Sequence, residues 1–143
     1  MVRIEVVEEA TSEVHAALAH LLPQLNPELP VPTMERLQAL IADPSVTLLL
    51  AMDGDNVVGT STLIVYTTPF WIKARLDEVV VDESARGKGV GAALVTACLD
   101  IARQKGAQVA ELQSGVFREA ANRLYPRMGF KLRESNVYRI VLD

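Results

Sequence analysis

The chain has 143 residues, half of them apolar, and carries 14 Lys and Arg against 18 Asp and Glu for a formal charge of −4. That length buries a core without covalent staples, and it reads as one domain, residues 1–143. The acidic balance argues against nucleic acid as a partner, the lone Cys98 has no internal partner for a disulfide, and no apolar run approaches the roughly 18 residues of a spanning helix, so a cytoplasmic protein without a membrane partner is expected.

In chain order, "RIEVVEEA" predicts a first strand. Val14, Ala17, Leu18, Leu21 and Leu22 then recur at helical spacing until Pro23. After the proline-rich "LPQLNPELPVP", Thr33 can cap a second helix with Met34, Leu37, Leu40 and Ile41 on its apolar side. "SVTLLLAM" and "VVGTSTLIVYT" flank Asp53-Gly54-Asp55-Asn56 and predict a hairpin. The loop "TPFWIKA" leads into the strand "RLDEVVV". Val90, Leu94, Ala97, Cys98 and Ile101 then mark a helix that Gly106 stops, with Cys98 as core filler, before the strand "AQVAEL". Phe117, Ala120, Ala121, Leu124 and Met128 trace a last helix, and "FKLRE" and "NVYRIVLD" predict two closing strands through which copies could also pair as a homodimer.

Between the valine strand and the alanine-rich helix, Gly87, Gly89 and Gly91 remove every second β-carbon, with Arg86 and Lys88 among them. Backbone amides there can touch a ligand directly, and the first turn of the helix offers unpaired N–H donors at the positive end of its dipole, which suits a pyrophosphate. A dinucleotide G-x-G-x-x-G or a P-loop G-x-x-x-x-G-K-[ST] would need other spacing, which disfavours a nicotinamide oxidoreductase. What stands here is R-x-x-G-x-G, Arg86 to Gly91, and further on Ala120-Ala121-Asn122-Arg123-Leu124-Tyr125 with Met128-Gly129-Phe130. The pair resembles the two signatures of the GNAT superfamily of acetyl-CoA-dependent N-acetyltransferases over Arg75 to Phe130.

The resemblance implies an α+β fold whose mixed, mostly antiparallel sheet has helices on both faces and splays in the middle to hold acetyl-CoA. It assigns the pantetheine arm to the backbone of Val79 and Val81, the pyrophosphate to Arg86, Gly87, Lys88, Gly89, Val90 and Gly91, and a polar contact to Asn122. Tyr125 matches the family tyrosine that protonates the leaving thiolate, although Pro126 directly after it implies a distorted or terminating turn. Glu78 is the first candidate for a base; Asp77 beside it, or a chain of water, stays open, since adjacent strand residues face opposite ways. A small-molecule or peptide amine is the implied acceptor, and a non-catalytic acyl-CoA sensor is the alternative. His15 and His20 are five apart and do not share a helix face, so no metal site is expected. Phe70 and Trp71 could cover an acceptor that the proline-rich segment helps to wall, with Asn136 and Tyr138 near the same pocket.

Overall fold

The computed structural model describes residues 2–143, which divide into two compact units, one ending at Gln113 and one spanning Ser114–Asp143. The first unit holds a five-stranded sheet in the order β1 (Val2–Val6), β2 (Val46–Asp53), β3 (Asn56–Thr67), β4 (Ile72–Val81) and β5 (Val109–Leu112). Only the last pair, β4 with β5, is parallel. Helices α1 (Ser12–Leu21) and α2 (Met34–Ala42) start on Thr11 and Thr33, whose hydroxyls accept from the Val14 and Arg36 amides as the sequence predicts for Thr33.

Strand alternation separates two cores. Leu48 and Leu50 of β2 pack with Leu18 of α1 and Leu37 of α2. Leu49, directly across from Ser61, points to the other face, where Ser61 meets the buried Cys98 of α3 (Val90–Gln104). Cys98 is core, as its helical position predicts, and helices cover both faces of the sheet. Gly59 on β3 is where α3 comes closest: a β-carbon there would lie 3.0 Å from Leu94 Cδ1 and the Val80 carbonyl oxygen and 3.1 Å from Val90 Cγ1. The Val80 oxygen belongs to the β4 backbone and cannot yield, so Gly59→Ala should strain the β3–β4 pairing and push Val90 and Leu94 of α3 off the sheet. The expected result is a loss of about 1–3 kcal/mol in denaturant unfolding; an unchanged midpoint would show that the helix shifts without cost.

In the second unit, α4 (Glu119–Arg127) ends in a Schellman motif. The Gly129 N–H donates to the Pro126 carbonyl and the Phe130 N–H to the Tyr125 carbonyl, with Gly129 at a φ of 98°. Phe130 then stacks edge-on against Tyr125, with ring centroids 5.8 Å apart. The helix therefore runs one residue past Pro126, and of the two forms expected at Tyr125, a distorted or a terminating turn, it is the terminating one.

The two closing strands are a correction. Residues 131–143 form no strand, and Leu132, Tyr138, Ile140 and Leu142 are exposed. Alternation of apolar residues expresses a capacity to pair, and a strand forms only where an edge and an apolar face are there to receive it. Phe117 likewise precedes α4 and is exposed. Among the described residues, no helix is long and apolar enough to cross a membrane, and no group of His, Cys, Asp and Glu could hold a metal ion.

Candidate active site

Strand β5 stops at Leu112, opposite Leu76, whereas β4 continues for five more residues to Val81. From Asp77 onward, β4 thus pairs with β3 on one side and, among the described residues, with no strand on the other. The Asp82 N–H donates to the Val58 carbonyl at 2.8 Å, and Val80 pairs with Thr60. By alternation, the intervening Val81 turns its own N–H and carbonyl away from β3, toward the unpaired side. Val79, two residues earlier, is half-buried on that same stretch.

The register of β4 breaks where the chemistry is expected. Asp77 lies opposite Thr62 and Val80 opposite Thr60, so Glu78 and Val79 together face Ser61 alone. This is a β-bulge, and Glu78 carries its strain with a φ of +46°, a conformation that is costly for any residue with a β-carbon. The simple strand on which Asp77 and Glu78 face opposite ways is therefore replaced by a kink. The bulge also separates the two carboxylates chemically. Asp77 is held by both oxygens to Arg75 Nε, at 3.1 and 3.2 Å. Glu78 has no hydrogen bond or ion pair among the described residues. Glu78 is exposed, and the part of its hydration that it does lose raises its pKa, with the Asp77 charge raising it further and Arg75 opposing both.

A raised carboxyl binds its proton more readily in the folded chain than in the unfolded one, so stability falls as pH rises through that window. Glu78→Gln should therefore melt higher than the parent at pH 7 to 8, while the two melt together once pH falls below the ordinary carboxylate range of about 4. A constant offset at every pH would place the effect in packing instead of charge.

Past Val81 the chain enters a short 3-10 turn, Glu83–Ala85, and then Arg86 to Gly89. Gly87 and Gly89 have φ values of 78° and 80°, with nothing within 4 Å of where a β-carbon would stand. Left-handed backbone, not crowding, is what demands glycine at these two positions. Gly89 is the N-cap of α3 and brings no side chain to it, so the amides of Val90, Gly91 and Ala92 start the helix uncapped. Arg86 and Lys88 are exposed and have no ion-pair partner among the described residues. Loop, helix dipole and cations form a positive surface on which an anion would find several N–H donors.

Asp82, at the root of this loop, is only 9% exposed, and the sequence reading passed over it. Its carboxylate accepts from His20 Nε2 at 2.8 Å, from Gln24 Nε2 at 2.7 Å and from the Ser84 hydroxyl. These bonds, Ser84 and Gln24 first, hold its carboxyl well below the usual range. The partners lie 58 and 62 residues away for Gln24 and His20, so only the local Asp82-Glu83-Ser84 turn signal was available beforehand. His15 hydrogen-bonds the Pro32 carbonyl at 2.8 Å, so each histidine is tied to a protein partner.

In the second unit, Tyr125 is buried, and burial raises its pKa against a smaller opposing effect of Arg118. Asn122 donates its amide to the Gly115 and Arg118 carbonyls at 2.8 and 3.0 Å, and its Oδ1 accepts no hydrogen bond among the described residues. Phe70 is 88% exposed and Trp71 44%, so packing does not anchor this loop; the Thr68 hydroxyl, which accepts from the Trp71 N–H at 3.1 Å, does.

Residues 14–130 match the model of the Acetyltransferase (GNAT) family. An aminoalkylphosphonate N-acetyltransferase of Salmonella typhimurium is 34% identical over 96 residues, 65% of this chain and 62% of that protein. The chain spans less than two thirds of the length of the curated relatives it matches, at 27%, 62% and 38%. An aminoglycoside acetyltransferase from an uncultured soil metagenomic sample, solved with trehalose, superposes with a TM-score of 0.86 at 21% identity, over 99% of this chain and 95% of that one. The enzyme AAC(6')-Iy, solved with a bisubstrate analogue joining CoA to acetylneamine, gives 0.82 at 14% identity over 100% and 99%. At such identities the likeness is one of fold.

Proposed function

Because the chain belongs to the acetyltransferase (GNAT) family, we propose that it transfers an acetyl group from acetyl-CoA to the primary amine of an acceptor by direct attack. One observation carries the reading: β4 outruns its parallel partner at Leu76 and leads, with its backbone unpaired on one side, straight into a glycine loop and an uncapped helix. An extended amide-bearing arm can add to such an edge as a strand does, and a pyrophosphate suits the amides beyond it. Val79 and Val81 would bind the pantetheine arm, the Val81 N–H polarising the thioester oxygen, and the amides of Arg86 to Gly91 the pyrophosphate.

The attacking amine must be neutral, and the raised carboxyl of Glu78, free of partners, suits the acceptance of its proton better than the Arg75-bound Asp77. Tyr125 is the proposed donor to the departing thiolate. A buried phenol above about 10 keeps its proton at neutral pH, although the same shift makes it a weaker acid. The family relatives named above carry aminoalkylphosphonates and aminoglycosides in their names, which supports an amine as the acceptor.

Thermal unfolding with acetyl-CoA, CoA and NAD tests the cofactor. A ligand at 100 times its Kd adds about 2.7 kcal/mol, a shift of several degrees in a chain of this size. A rise with both CoA species and none with NAD is expected, and no rise with any CoA species would end the reading. For the base, Glu78→Gln should lower kcat/KM by ~100-fold and remove the acidic limb of its pH profile.

A further inference from the structure

The loop that meets the pyrophosphate is tied at its root to a distant helix, and the tie runs through one side chain. Gln24, last residue of the 3-10 turn Leu22–Gln24 that continues α1, donates from Nε2 to the Asp82 carboxylate at 2.7 Å and accepts at Oε1 from the Glu83 N–H at 3.0 Å. One amide thus spans a buried side chain and the first backbone donor of the loop. We propose that Gln24, anchored on Asp82, is a positioning residue for acyl-CoA, holding the root of the Arg86–Gly89 loop so that its amides are already aimed before the cofactor arrives. The proposal rests on the cofactor reading above.

The rest of the loop shows why such an anchor matters. Ala85 is buried and its N–H donates to the Asp82 carbonyl at 2.8 Å, so the 3-10 turn folds upon the same aspartate. Beyond it, Arg86, Gly87, Lys88 and Gly89 are all exposed, and two of the four are glycines in left-handed conformation. Chain of this kind has the most conformational freedom to lose on binding, and any order imposed beforehand appears as affinity. Asp82 supplies the fixed point: it is buried, hydrogen-bonded through its own N–H to β3, and gripped by His20, Gln24 and Ser84. Of these three, only Gln24 also holds the loop backbone. Without these bonds the cofactor must order the root itself, and an ordering cost of about 1.4 kcal/mol reads as tenfold in affinity.

The experiment compares the parent with Gln24→Met, which keeps the volume and removes both bonds, and with Ser84→Ala, which leaves the Gln24 bridge in place. CoA affinity is read by calorimetry, and amide hydrogen exchange is read in the absence of ligand and with saturating CoA. For Gln24→Met a CoA Kd raised about tenfold is expected, with faster exchange at residues 83–89 that saturating CoA reverses, and α1 exchange unchanged. Ser84→Ala should stay within about twofold of the parent. A Gln24→Met protein that binds CoA as the parent does, or whose exchange rises along α1 and not in the loop, overturns the proposal. A parent that binds no CoA overturns the cofactor reading first and this inference with it, and the two failures are thereby told apart.

Discussion

Gly89→Glu should abolish CoA binding while leaving a folded protein. The backbone at Gly89 has a φ of 80°, so any residue with a β-carbon costs about 1–2 kcal/mol there, yet nothing within 4 Å obstructs the side chain itself. The fold therefore absorbs the strain, and the melting temperature of the free protein falls by a few degrees. The functional effect is larger, because a carboxylate at the N-cap of α3 occupies the place proposed for the pyrophosphate and caps the same amides from within. The CoA-dependent rise in melting temperature should vanish. Gly89→Asn separates the causes: asparagine tolerates left-handed backbone and brings no charge, so part of the CoA response should survive. Full response in the Glu variant would show that the loop amides do not meet an anion.

Tyr125→Phe should lower kcat by about 100-fold with little change in the KM for acetyl-CoA, the signature of a group that acts in the transition state alone. Phenylalanine keeps the edge-on contact with Phe130, whose centroid lies 5.8 Å away, and leaves the Schellman bonds to Gly129 and Phe130 untouched, since these are backbone bonds. Its melting temperature should accordingly stay near that of the parent. Tyr125→Ala, by contrast, removes the ring that seals the end of α4 and mixes structural loss with chemical loss. A Tyr125→Phe enzyme with unchanged kcat would leave the tyrosine a packing role only. The motif that drew attention to Tyr125 thus has a mechanical reading beside the chemical one. Gly129 supplies the left-handed turn and Phe130 the apolar contact that ends a helix.

The elements through α4 were legible because each is set by neighbours in sequence. Thr33 caps its helix, Gly54 turns the hairpin and Gly106 ends α3, each through a local rule that holds wherever the segment lies. The glycine loop was legible for the same reason. What was not legible is how Asp77 and Glu78 are set apart, since a bulge depends on how two strands compete for register and Arg75 binds Asp77 alone.

Local sequence also misled at the end of the chain, where Tyr138, Ile140 and Leu142 alternate as a strand would and yet remain exposed. By itself, the sequence determined the order and type of the elements as far as α4, though not their ends, since Ile72 to Ala74 read as loop and belong to β4 and Val7 to Ala10 read as strand and lie beyond β1; it also determined where the glycines must stand and which family signatures they compose. Tertiary structure decided that β5 ends early and opens the edge of β4, that Glu78 is free while Asp77 is bound, and that Gln24 meets Asp82. Those are relations between residues up to 58 positions apart. No propensity or spacing encodes them, because they arise only when buried faces compete for the same core and buried polar groups must find partners.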